Sequence, residues 1–131
     1  MKHEHYQLVL FTGFGFLFLW LDIFIGHVGS GLHNIFMWIP LVMLPVVMVI
    51  SVMTAFRATK FNLKFFYFIY YLVILVGMAG FYFHLLRLMG DLKGQIQWEV
   101  LIRLMRYPPL LAPLSVSGLG ILGLLVNRQK P

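Results

Sequence analysis

The stretch Ile23–Phe56, IFIGHVGSGLHNIFMWIPLVMLPVVMVISVMTAF, contains no Lys, Arg, Asp or Glu, and a second charge-free run, FFYFIYYLVILVGMAGFYFHLL, follows at Phe65–Leu86. A bilayer core about 30 Å thick requires about 20 apolar residues for each crossing helix, and a soluble fold of this size has no use for runs so long. Working outward from these runs, four spans are drawn at residues 8–25, 35–56, 65–86 and 107–126. Each is expected to be an α-helix, because hydrocarbon offers no partners to backbone N–H and C=O groups. The segments are also too long and too uniformly apolar for barrel strands. The chain reads as an all-α polytopic membrane protein with four transmembrane helices in a single domain over residues 1–131.

Composition agrees. Hydrophobic residues make up 61% of the chain and charged residues 11%, whereas a soluble domain carries about 25% charged residues. The net charge of +6 sits in short segments between apolar spans, where basic side chains meet lipid headgroups, so the bilayer rather than nucleic acid is the expected partner. The absence of Cys excludes dithiol chemistry, thiolate metal ligation and disulfides. The first apolar segment exceeds the roughly 7–15 residues of a signal-peptide core, lacks an A-x-A-like site and is read as a retained helix.

Basic residues set the orientation. Lys2, Arg57, Lys60, Lys64, Arg128 and Lys130 fall on one side with Glu4; Arg87, Lys93, Arg103 and Arg106 fall on the other with Asp22, Asp91 and Glu99. This asymmetry predicts both termini on the cytoplasmic side of a bacterial-type inner or plasma membrane. Between spans three and four, Gln95, Glu99 and Arg103 recur beside an apolar row of Ile96, Val100 and Leu104. That pattern predicts a short interfacial helix, with Trp98 at headgroup depth.

Two short motifs suggest an internal repeat. Gly15-Phe16-Leu17-Phe18 precedes the end of span one and Gly80-Phe81-Tyr82-Phe83 the end of span three, while Pro40/Pro45 and Pro108/Pro113 share one offset. The expected layout is two helical hairpins related by an axis along the membrane normal. Seven residues beyond the paired glycines stand Asp22 and Arg87, opposite charges in equivalent places, expected to form a structural or proton-handling ion pair. Gly77, Gly80, His84 and Arg87 share one helix face, as do Gly15, Asp22 and Gly26; both faces are expected to turn inward. Ser117, Gly120 and Gly123 form a further smooth strip suited to close contact.

The histidines carry what chemistry there is. His27 and His33 flank the Gly-rich connection after span one, and His84 ends span three on the same side. Two of them are candidates for axial ligation of a b-type haem, with Arg87 placed to meet a propionate. With Trp20 and Asp22 the same cluster is a candidate quinone-headgroup site. No spacing diagnostic of a metal site is present, nor a Ser-His-Asp arrangement, a P-loop or H-E-x-x-H, so no residue is assigned a catalytic role.

Three functions fit this pattern. The first is a non-catalytic subunit or anchor of a larger membrane complex, of redox type, in which the chain meets partner subunits or its own copies. The second is a haem- or quinone-binding electron-transfer protein. The third is a small transporter or channel with a cavity reaching Asp22.

Overall fold

The computed structural model describes residues 2–56, 63–91, 102 and 110–128, and places the side chains of 6–56, 64–90, 102 and 110–126. It is all-helical: α1 (Lys2–Ser30), a 3-10 turn (Ile35–Met37), α2 (Trp38–Ala55), α3 (Leu63–Asp91) and α4 (Leu111–Arg128). Three apolar segments, Tyr6–Gly29, Ile35–Ala55 and Lys64–Gly90, are long enough to cross a bilayer. The α1 and α3 helices run past the expected limits of 8–25 and 65–86 because charges such as Arg87 mark where hydrocarbon ends, not where backbone hydrogen bonding must.

The fourth helix is shorter than expected. Its 18 residues rise about 27 Å, and its apolar part, Leu111–Val126, is below spanning length. The apolar sequence from Tyr107 suggests a longer element, but Leu110 lies in a turn and the helix opens at Leu111 with Pro113 in its first turn. Proline is tolerated there because a first-turn N–H has no intrahelical acceptor. The expected interfacial helix and Tyr107 lie outside the described residues.

Consecutive helices run antiparallel. The α1 helix packs most extensively on α2 and α3 on α4; α1 also lies along α4, and α2 touches α3 more lightly. Val9, Thr12, Phe16 and Ile23 of α1, Leu44 and Val47 of α2, Phe66, Tyr70 and Val73 of α3, and Val116 and Leu124 of α4 are buried between them. Their spacing of three, four, seven or eight residues is the period of one helix face. The opposite faces are no more polar. Phe11, Phe18, Ile25, Val42, Leu75 and Leu111 are 61–74% exposed. Helices apolar all round, with large side chains pointing outward, are the arrangement that lipid solvates and water does not.

Polar side chains tie the helices together in sequence. Pro45 lies inside α2 and has no N–H, so the carbonyl four residues earlier, at Leu41, loses its helical donor. The Trp20 indole Nε1–H, from α1, donates to that carbonyl oxygen at 2.9 Å. Between α2 and α3, Ser51 Oγ donates to Val47 O at 2.7 Å and lies 2.5 Å from the Tyr70 hydroxyl. With the only Ser51 hydroxyl proton committed to Val47, Tyr70 is the donor of that pair. Between α3 and α4, Ser117 Oγ donates to Ile74 O at 3.0 Å.

Glycines let α3 and α4 approach closely. A Cβ on Gly77 would stand 2.6 Å from Pro113 O and 2.8 Å from Ser117 N, both backbone atoms that cannot step aside. Gly120 receives the Ile74 side chain, and Gly123 lies against the Tyr70 ring. That ring is fully buried, stacked on Phe66 at 4.3 Å and meeting Phe16 of α1 edge-on at 6.0 Å. The strip Ser117, Gly120 and Gly123 thus makes its contact within the chain. Gly15 meets Leu119 of α4 and Gly80 meets Pro113, so the two motif glycines both pack on α4 and do not face each other.

Two outcomes follow for stability. Trp20→Phe is expected to cost about 1 kcal/mol, near the middle of the range for interhelical hydrogen bonds in membranes. The loss should shrink toward zero in a Pro45→Ala background, where Leu41 O regains a helical donor. Reversible unfolding in mixed micelles, followed by circular dichroism, reads both; an equal loss in the two backgrounds would mean that the indole acts by packing alone. Gly77→Ala is expected to cost about 1–3 kcal/mol through overpacking. Gly118→Ala, with nothing within 4 Å of its added methyl, should be near neutral in the same assay, and equal effects at the two positions would contradict the close α3–α4 approach.

Candidate functional site

The end of the bundle where α1 finishes and α3 runs out collects the sequence-predicted histidines. The α1 helix stops there in a Schellman motif: Gly31 N–H donates to Val28 O at 3.0 Å and Leu32 N–H to His27 O at 3.2 Å. Gly31 has φ +91° and Leu32 φ +46°. The first is the left-handed conformation that this cap demands and that glycine adopts without cost. The second is unusual for a leucine, and its side chain is held against the core cluster. Ser30 Oγ also donates to His27 O, at 2.9 Å, so the last turn is closed around the histidine. The chain re-enters the bilayer through the 3-10 turn, capped by Asn34, whose side-chain oxygen accepts from Phe36 N–H at 3.0 Å.

Each candidate residue has a definite place. His27 is partly buried on α1, and its Nδ1 lies 2.8 Å from Ile23 O. A carbonyl only accepts, so Nδ1 carries the proton, and in the neutral ring Nε2 keeps its lone pair. His84 is partly buried on α3, and its Nδ1 is buried with no hydrogen-bond partner. Arg87 stands one turn beyond His84 on α3. His33 is exposed in the connection, its imidazole folded back over Gly31. Asp22 is exposed on α1 and Arg87 on α3. Gly26 and Gly29, beside His27, open onto free space.

Two aromatic pairs form in this half of the bundle. Phe36 of the 3-10 turn stacks on Phe83 of α3 at 6.0 Å, and Trp20 stacks on Phe24 at 5.3 Å. The Trp20 N–H, a candidate donor to a ligand, is committed to Leu41 O. Among the described residues, no group of three or more His, Cys, Asp or Glu side chains converges as a metal site. No protein-family model, curated protein or solved structure matches the chain, so no residue role is transferred from a relative.

Sequence reasoning did not single out the Ser51–Tyr70 pair or the Trp20–Leu41 bond. The second was accessible by counting four residues back from Pro45 to an orphaned carbonyl; what spacing cannot supply is the donor, twenty-one positions away on another helix. The Gly31 cap gives an outcome to check. Gly31→Ala is expected to cost about 1–2 kcal/mol, the penalty of a Cβ in left-handed backbone. Gly29→Ala, in open space, should leave the same thermal or denaturant midpoint almost unchanged; parity of the two would refute the cap.

Proposed function

We propose that the chain is a non-catalytic membrane subunit or anchor, a four-helix body of two hairpins that presents lipid- and partner-facing surface within a larger assembly. The observation that carries this reading is the disposition of polar groups. Inside the bundle Thr12, Trp20, Ser51, Tyr70 and Ser117 all hold backbone or one another, and none of them is left to line a pathway or act on a substrate. The pairing of α1 with α2 and of α3 with α4 supports the hairpin layout. The fourth helix, whose described apolar part is shorter than the other three, is stabilised when its exposed apolar face is covered by other transmembrane helices, from partner subunits or further copies. The excess of basic residues beside the termini and the 57–64 loop supports cytoplasmic termini in a bacterial-type inner or plasma membrane. Asp22 and Arg87, exposed on α1 and α3, are the opposite charges expected to tie those helices.

A second reading, an electron-transfer protein binding b-type haem or quinone through His84, His27, His33 and Arg87, is favoured by the buried and unpartnered His84 Nδ1. Extraction of the tagged chain from native membranes in mild detergent separates the two readings. The subunit reading expects a reproducible set of membrane proteins to co-purify and a visible spectrum without a Soret band. A chain that emerges alone and monodisperse overturns it, and a Soret band lost on His84→Leu establishes the haem form of the second reading.

A further inference from the structure

We propose that the C-terminal half of α1 is a docking face for a transmembrane helix of another subunit, one that carries a Lys or Arg within the bilayer and pairs it with Asp22. This rests on the subunit reading above and names the kind of partner that reading requires. Asp22 lies inside the apolar segment Tyr6–Gly29, seven residues before its end. A segment of 24 residues is about 36 Å long against a hydrocarbon core of about 30 Å, so a centred helix holds Asp22 about 7 Å inside the boundary. Helical Cα–Cβ bonds tilt toward the N-terminus, which turns this carboxylate further toward the bilayer centre. Its side chain is also too short to snorkel out as a lysine or arginine does.

The carboxylate faces away from the bundle. The sequence pattern expects Gly15, Asp22 and Gly26 to turn inward together. Gly15 does so, against Leu119 of α4, but Asp22 and Gly26 are exposed. Phe18 and Ile25, one turn to either side of Asp22, are each 69% exposed, so the acid stands within a strip that lipid would otherwise cover. The bonds that tie the helices to one another, from Trp20, Tyr70 and Ser117, leave it out. A carboxylate against lipid is costly, and charged side chains within transmembrane segments almost always face protein and are paired. A base on a neighbouring helix removes that cost through a charge-assisted bond, which also sets the height at which the helix docks. Gly26 and Gly29 follow Asp22 on the same face, and a Cβ at either meets nothing within 4 Å, so a partner backbone can come close. A second copy of the chain fits this face poorly. Between Lys2 and Arg57 there is no Lys or Arg, so α1 and α2 of a copy bring no cation into the bilayer, and a symmetric contact between two α1 helices sets acid against acid. Within the chain Arg87 is carried on α3, whereas α1 packs chiefly on α2 and α4.

The test uses the full chain in phosphatidylcholine nanodiscs. The probe is a dansyl-labelled, leucine-rich transmembrane peptide with a single Arg at the depth of Asp22, and the control carries Leu in its place. Energy transfer from the tryptophans, Trp20 among them, reads association. Wild type is expected to bind the Arg peptide about tenfold more tightly than the Leu peptide, a difference of roughly 1.4 kcal/mol. Asp22→Asn should remove that difference and Asp22→Glu should keep it. Should Asp22→Asn not fold by circular dichroism, Gly26→Leu, which fills the approach, should weaken binding of the Arg peptide instead. Equal binding of the two peptides by wild type, or a preference that survives Asp22→Asn, overturns the proposal. A preference that emerges only in Arg87→Gln assigns the carboxylate to its own chain and overturns it too, as does a dimer, formed without peptide, that Asp22→Asn abolishes. Purification from native membranes separates this proposal from the reading beneath it. Membrane proteins that co-purify equally with wild type and Asp22→Asn leave the subunit reading standing and overturn this one; a chain that emerges alone removes both.

Discussion

In hydrocarbon a backbone carbonyl without a donor has no water to turn to, and Pro45 creates one such carbonyl in the middle of α2. The indole of Trp20 answers it from α1 at 2.9 Å. A defect in one helix thereby becomes the polar contact between two, and it brings Trp20 into the interior, stacked on Phe24. The same logic recurs along the chain. Ser51 is paired with Tyr70 across α2 and α3, and Ser117 with Ile74 O across α3 and α4. Each such bond contributes modestly, about 0.6–2 kcal/mol, yet each fixes the axial register of its helix pair. Apolar faces that are equally happy against lipid do not supply such a preference.

Register in turn permits the close packing of α3 on α4. Dispersion is the main attraction between helices that lipid already solvates, and it falls off steeply with distance. Glycine is useful only where it meets something: Gly77 lies over Pro113 and Ser117, Gly120 under Ile74, and Gly123 under the ring of Tyr70. A slip of one residue along α4 would set Leu124 where Gly123 now stands, against the fully buried ring of Tyr70. Tyr70 joins the two systems, its hydroxyl tied to Ser51 on α2 while its ring fills the space that Gly123 leaves on α4.

The membrane class and the helical architecture were legible in the sequence because they depend on composition and run length alone. The glycine-rich connection after α1 and the smooth strip on α4 were legible in outline, since both rest on glycine at a local spacing, although the cap that Gly31 makes was not read from it. Two features were not. Apolar content extends upstream of α4 as far as Tyr107, so hydropathy could not show that the helix opens only at Leu111. The face holding Gly77, Gly80 and His84 was expected to meet α1, yet its glycines pack on α4. Local periodicity shows which residues share a face; the neighbour that covers the face is fixed by long-range packing that no single helix encodes.

The site was legible as a set of residue types and became selective only through hydrogen bonding. Among three histidines near one end, sequence offers no reason to separate His27 from His33, and both flank the same glycine-rich turn. The structure separates them by what their nitrogens meet. His27 is oriented by Ile23 O, His33 is laid over backbone, and His84 holds a nitrogen inside the protein with nothing to bond. In a bundle where Thr12, Trp20, Ser51, Tyr70 and Ser117 all hold an acceptor or one another, this unsatisfied buried atom is, among the described residues, the exception to the rule that built the fold.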